Sequence, residues 1–303
     1  MTNFQMLLVA GTHGNEVNAP WLFEHWDQNP NLINSFEFNI SKIIGNPEAL
    51  GLSRRYIDSD LNRAFSKDLL NSNLENNLEA NRAKYILKKF GPDGENPCSF
   101  AIDLHSTTAS MGNSIVIYGR RYADLALASL LQSKLGLPIY LHEADKDQRG
   151  FLVEAWPCGF VLEIGPVPQS LLDTSIIEKY RLTLEVCFQE IEKFLLGRSL
   201  FPKNIVVHRH IGSIDFPRDS NNKIASSIHP SLYGMDWHPI MKNQPLFVNI
   251  QGEVDSYTSS EEVVPVFINE AAYAEKNIAM SLTKKEVWDF REEWQLALMK
   301  LLF

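Results

Sequence analysis

The chain has 303 residues, 45% of them hydrophobic and 21% charged, with a formal net charge of −9. That is the composition of an ordinary globular protein with room for a large core and two domains. The absence of any Lys/Arg block removes the electrostatic footprint of a nucleic-acid binder. Three cysteines, Cys98, Cys158 and Cys187, lack metal-type spacing and are odd in number, which argues against a disulfide framework and for a reducing cytoplasm. The N-terminus shows no basic leader followed by an apolar run, and no stretch approaches a membrane span in length, so neither secretion nor membrane insertion is expected.

In chain order, short apolar runs alternate with longer amphipathic ones, which predicts an α/β sheet. Met6 to Ala10 reads as the first strand and Glu16 to Trp26 as its helix, with Asn15 as N-cap. Phe36 to Gly45 is a second strand, broken by Asn46-Pro47, with Pro47 to Leu50 starting a turn. Ser53 to Phe65 has no period and is a loop in need of a reason. Leu74 to Phe90 returns to a helix, stopped at Gly91-Pro92. Strands follow at Ser99 to Leu104 and Ser114 to Tyr118, then a helix over Tyr122 to Leu135 closed by Gly136, and a strand at Pro138 to His142. Asp145 to Gly150 is loop, Phe160 to Ile164 a buried strand, and Leu171 to Leu196 a long helix ended by Gly197.

Beyond Leu200 the texture changes to short strands between Pro/Asn/Gly turns: Ile205 to His210, Ile224 to Ile228, Pro245 to Ile250 and Val263 to Phe267. A helical period through Val287, Phe290, Trp294, Leu298 and Leu301 predicts a terminal helix over Thr283 to Phe303. The expected domains are 1–198, catalytic, and 199–303, β-rich and ending in that helix.

Chemistry gathers at Gly11-Thr12-His13-Gly14-Asn15-Glu16, on a glycine-loosened turn where the first strand ends. An imidazole and a carboxylate three residues apart can converge on one point, and a catalytic zinc takes three protein ligands with the fourth position open to water. His105, at the carboxyl end of another strand, supplies the third, at the edge where open α/β sheets bind ligands. Asp103 shares its sheet face and either orients an imidazole or caps the loop. Glu163 interrupts the apolar run Phe160 to Ile164, where a buried carboxylate is costly unless it is paired with an arginine or serves as a general base. Lone histidines, His25, His142, His229 and His238, read as satisfied polar residues.

The blocks Gly11 to Glu16, Arg55-Tyr56-Ile57-Asp58, Asp60-Leu61-Asn62-Arg63, Asp103-Leu104-His105, Glu163-Ile164-Gly165-Pro166 and Asn269-Glu270-Ala271-Ala272-Tyr273 together resemble the aspartoacylase family of zinc amidohydrolases. They run in family order from residue 11 to residue 276. The family in turn resembles zinc carboxypeptidases, so the resemblance implies an α/β, zinc-carboxypeptidase-like mixed sheet flanked by helices, with the smaller β-rich domain behind it. It further implies one zinc per chain on His13, Glu16 and His105, Glu163 as the base, and Arg55 polarising the scissile carbonyl. Asn62 and Arg63 would hold the substrate carboxylate, with Tyr273 and Lys276 closing over the pocket. Glu270 would buttress its loop.

Two places depart from the family pattern. Ser106 follows His105 where many members carry Asn, and the loop Asp145 to Trp156, where better-known members carry a Tyr and an Arg that grip the substrate side chain, aligns poorly and carries a small length change before Glu163. Arg149, the one arginine in that loop, is the candidate cation for a second substrate carboxylate. The expected reaction is hydrolysis of an N-acyl-L-aspartate, such as N-acetyl-L-aspartate, to aspartate and a carboxylic acid. The alternatives are deacylation of N-acyl aromatic amino acids, carboxypeptidase action, or a silent metal-binding module, against which Glu163 and Arg55 count. The expected assembly is a cytoplasmic homodimer or higher homo-oligomer acting on a small molecule, with no nucleic acid and no membrane.

Overall fold

The computed structural model describes residues 4–33, 36–71, 76–143 and 149–302. Its elements are β1 (Gln5–Ala10), α1 (Asn18–Gln28), β2 (Asn39–Ile44), α2 (Pro47–Gly51), α3 (Lys67–Asn71), α4 (Leu78–Phe90), β3 (Phe100–Ser106), β4 (Asn113–Tyr118), α5 (Tyr122–Leu135) and β5 (Ile139–His142). They continue through β6 (Cys158–Ile164), α6 (Thr174–Leu195), β7 (Asn204–Asp215), β8 (Ser226–Ile228), β9 (Pro245–Asn249), β10 (Val254–Ser256), β11 (Val264–Val266), β12 (Ile278–Asp289) and α7 (Glu292–Leu302).

Nine strands form one mixed sheet in the order β11-β12-β7-β5-β4-β6-β3-β1-β2. The strands β2, β1, β3 and β6 run parallel, as do β4, β5 and β7, and the two sets meet head to tail where β4 pairs antiparallel with β6. Both faces are covered, which is why these strands read as near-continuous apolar runs. One face carries Leu8, Ile102, Ile117 and Leu162 against α1, α5, α6 and α7. The other carries Val9, Ala101, Val116 and Val161 under α4 and the long loops.

A smaller core built on Ile228, Ile240, Phe247 and Met280 belongs to the C-terminal part, beside the three-stranded sheet β10-β9-β8. The ribbon of β7 and β12 serves both bodies, since Val207 lies in the first core and Met280 in the last.

Several expected boundaries move. Thr283 to Asp289 is strand, not helix: the ladder from Thr283↔His210 to Asp289↔Asn204 overrides a helical period in which Val287 is exposed. The helix proper starts at Glu292, and Trp294, Leu298 and Leu302 give it a buried stripe. Asn15 does not cap α1, whose N-cap is Val17 without a side-chain bond. Asp173 caps α6 instead, its carboxylate accepting from Ser175 N and Ile176 N. The predicted helical residues 74–75 and most of the predicted loop Asp145 to Gly150 lie outside the described residues.

Candidate active site

The turn after β1 is possible only with glycine at two positions. Gly11 has φ +65°, and a Cβ on Gly14 would lie 2.0 Å from the carbonyl carbon of Ala49. The tight turn it permits, with Glu16 N donating to His13 O at 3.1 Å, brings both side chains to one side. Nδ1 of His13 lies 2.7 Å from Glu16 Oε1, and Nδ1 of His105, from the end of β3, lies 3.1 Å from Glu16 Oε2. One donor atom from each of the three buried residues falls within 4.8 Å of the others. Burial opposes the charge on Glu16, but the two imidazoles outweigh it and hold its carboxyl well below the usual range.

The outer nitrogens are also engaged. Nε2 of His105 meets Asp103 Oδ2 at 2.7 Å, and Nε2 of His13 meets Asp60 Oδ1 at 2.9 Å. Carboxylates on the far nitrogens fix ring orientation and raise ligand basicity, so the arrangement suits a divalent cation among the inner atoms. Thr12 Oγ1 donates to Asp103 Oδ1 at 2.6 Å, and the Tyr180 hydroxyl of α6 donates to the His105 carbonyl.

The aperiodic loop acquires its reason from Glu79, fully buried at the start of α4. Its carboxylate accepts from the backbone N–H groups of Ile57, Asp58 and Ser59 at 2.7–3.1 Å and from Asn46 Nδ2 at 2.9 Å. The loop so held presents Arg55, Asn62 and Arg63 to the cleft. Arg55 Nη2 lies 3.3 Å from Asp60 Oδ2 and Nη1 lies 3.9 Å from Glu16 Oε1. Asp60, which has no expected role in the sequence, therefore ties an inner histidine to an arginine. Burial works against its charge, but His13, Arg55 and Arg63 keep its carboxyl far below the ordinary value. No local signal separates such an aspartate from a solvated one.

Glu163 stands beside His105 in the β3–β6 register and lines the same cleft of about 620 Å³. Burial pushes its carboxyl up to about 8; His105 and Arg55 pull down, and Glu16 and Glu270 push up. A carboxylate so placed holds or releases a proton near neutral pH.

From the C-terminal part, Glu270 Oε2 accepts from the Thr107 hydroxyl, Thr108 N at 2.8 Å, Thr108 Oγ1 at 2.9 Å and Ala109 N at 3.0 Å. It thus clamps the loop after β3, and Tyr273 follows it into the cleft with its hydroxyl 3.2 Å from Ser281 Oγ. Arg149 and Lys276 are exposed and are not among the side chains lining the cleft. Among the described residues, its permanent cations are Arg55 and Arg63.

The far wall was missed in the sequence. Tyr118, Tyr140, His142, Phe151 and Phe267 line it, and His142, which reads in the sequence as a satisfied polar residue, is one of them. Ser114 pairs with Glu163, and Tyr118 lies four residues along β4 from Ser114, roughly 13 Å of backbone, so the wall rises further along the strand than Glu163.

An imidazole–carboxylate–imidazole cluster beside a carboxyl poised near neutrality, at the carboxyl ends of parallel strands, is the equipment of a hydrolytic enzyme. Comparison with known proteins agrees and narrows the class. The chain belongs to the succinylglutamate desuccinylase/aspartoacylase family: that family's catalytic domain matches residues 3–191 and its barrel-sandwich hybrid domain residues 203–285. It is 56% identical to a probable aspartoacylase of Prochlorococcus marinus, over all of this chain and 99% of that one. It is 52% identical to a probable aspartoacylase of Synechococcus sp., again over 100% and 99%. Murine aminoacylase 3 superposes with a TM-score of 0.87 at 31% identity, covering 96% of this chain and 98% of its own. The protein is accordingly an amidohydrolase. None of its described helices is long and apolar enough to cross a membrane.

Proposed function

We propose that the chain hydrolyses the amide bond of small N-acyl amino acids, with one zinc ion held by His13, Glu16 and His105. The observation that carries this is the inner triad itself: three buried donor atoms within 4.8 Å, each imidazole backed by its own carboxylate. When bound there, zinc supplies Lewis acidity for the acyl carbonyl and for a water molecule.

The protein's own groups do the rest. Glu163 takes a proton from the attacking water and returns it to the leaving nitrogen, so water and amide become a carboxylic acid and an amine. Arg55 places fixed positive charge where the oxyanion develops. Arg63, with Asn62 beside it, grips the substrate carboxylate through the planar fork of its guanidinium. Tyr273 adds a donor and closes the cleft against water. In this reading residues 1–198 carry the chemistry, and 199–303 contribute Tyr273 and the Glu270 clamp.

N-acyl-L-aspartate, N-acetyl-L-aspartate above all, is the substrate supported by the similarity to probable aspartoacylases at 50–56% identity. A second reading, N-acyl aromatic amino acids, is supported by the wall of Tyr118, Tyr140, Phe151 and Phe267, with Arg149 and Lys276 not among the described side chains that line the cleft. A dianion needs a second cation that this wall does not supply. Assay of the purified protein on N-acetyl-Asp, N-acetyl-Glu, N-acetyl-Tyr and a dipeptide decides between them. Turnover of the dipeptide alone would sink both. Three buried free thiols support a reducing cytoplasm, and the family resemblance supports a homo-oligomer, which light scattering would size.

A further inference from the structure

We infer that Phe151 is a positioning residue that presents the Arg63 guanidinium to the substrate carboxylate, an inference that rests on the reading of Arg63 just given. The Arg63 guanidinium carbon lies over the Phe151 ring, 3.7 Å from its centroid, and the Tyr118 ring stacks on Phe151 at 3.8 Å and 25°. Two groups that close to one centroid occupy opposite faces, so Phe151 is a plate held between a tyrosine and an arginine.

Three ties hold the plate. Leu152 N donates to Asn62 Oδ1 at 3.0 Å, and Phe65 N donates to Gly150 O at 3.1 Å. Glu154 Oε2 accepts from Gly150 N at 3.0 Å and Phe151 N at 2.9 Å. Gly150 itself presses on the arginine's segment: a Cβ there would lie 2.9 Å from Arg63 O and 2.8 Å from Ser66 N, at φ +81°. The segment 150–154 is thus fastened to the stretch carrying Asn62 and Arg63.

The chemistry explains why a plate is useful. All five guanidinium N–H donors lie in its plane, so covering one face with a ring consumes none of them. A free arginine side chain samples many rotamers, whereas one laid on an aromatic face has its plane set before a carboxylate arrives. Residues 150–154 of the departing loop therefore support the carboxylate grip from behind.

The test uses N-acetylglycine, which has the amide and the α-carboxylate but no side chain. For Phe151→Leu the KM should rise ~5- to 30-fold, the factor a cation–ring contact represents, with kcat within about twofold. Phe151→Tyr, which keeps the ring, should recover most of the KM that Phe151→Leu loses. In an Arg63→Ala background, where no cation and no planar group is left over the ring, Phe151→Leu should add nothing. An unchanged KM in Phe151→Leu, or an equal rise in both backgrounds, would overturn the inference while leaving Arg63 its role. If Arg63→Ala itself leaves KM unchanged, the carboxylate reading fails and takes the inference with it. Should Phe151→Leu not fold, Phe151→Met carries the same comparison.

Discussion

The two halves of the cleft are built on opposite plans. Around β1, β3 and β6 the lining is ionic, and each imidazole is answered by carboxylates: His13 by Asp60, His105 by Asp103, both by Glu16. Around β4 and β5 the lining is aromatic, with Tyr118, Phe151, His142 and Tyr140 in ring contact with one another. The first half is stiffened by directional bonds and, in the function proposed above, would act on the bond that is broken. The second is set by ring packing, which tolerates exchange, and in the same proposal would act on what is attached to that bond. Reaction and substrate choice are separately adjustable, and the following experiments are ordered by how hard they press on that separation.

The largest effect should come from His105→Ala or His13→Ala. A three-ligand site reduced to two should lose its metal, so elemental analysis should fall from about one zinc per chain to near zero. Full zinc in either variant would remove that residue from the ligand set.

Next comes Glu163→Gln, which keeps shape and removes the base. The kcat should drop by roughly 10²- to 10⁴-fold with zinc content unchanged. The same variant carries a pH signature in the metal-free protein. The folded pKa, about 8, lies above the ordinary 4.5, so the neutral carboxyl's contribution to stability is present below pH 4.5 and is lost as pH rises through 8. Glu163→Gln should therefore be the more stable protein at pH 8.5, with the gap closing at pH 4.5. Thermal melts at the two pH values check it, and a gap of the opposite trend would contradict the assigned burial.

Phe267→Leu addresses the other half. Its ring contacts Tyr140 at 5.8 Å and Tyr273 at 5.6 Å. Removing one aromatic partner should shift the ratio of kcat/KM between N-acetyl-Tyr and N-acetyl-Asp by about 3- to 10-fold, with N-acetylglycine unaffected. Equal loss on all three would mean that the halves are not separable.

The smallest effect lies outside the cleft. His208, buried against Trp237, has its pKa lowered to about 4 by burial with help from Lys285. Its folded pKa is below the ordinary 6.5, so its contribution to stability is present above pH 6.5 and is lost as pH falls toward 4. His208→Leu should flatten the decline of Tm between pH 7 and pH 4.5 by about 2 °C or more, with activity unchanged.

The same division governs how much could be read in advance. The ionic half was legible because its residues are chemically conspicuous: a carboxylate within Phe160 to Ile164, and His and Glu on a Gly-bounded turn. Helix α5 was legible to the residue, its end fixed by Gly136 at φ +66°. The aromatic half was not legible, since Tyr118, Tyr140 and His142 on covered strands look like any core residues. What makes them a wall is the antiparallel junction of β4 and β6, which no local pattern reports. The reading of Thr283 to Asp289 as helix failed for a related reason: a long ladder with β7 is a non-local gain. Arg149 was chosen as the one arginine in its loop, and the chain turns it outward while Gly150 and Phe151 turn in.

The ribbon of β7 and β12 carries a mechanical meaning. The smaller body grows out of one strand and returns along the other, and both are woven into the nine-stranded sheet. Swinging that body as a door would tear the ladder, so the frame around the cleft behaves as a fixed window. The short turn Ala271–Lys276 borders that window, moored to the loop opposite by the Tyr56 hydroxyl on Glu275 Oε2 at 2.7 Å.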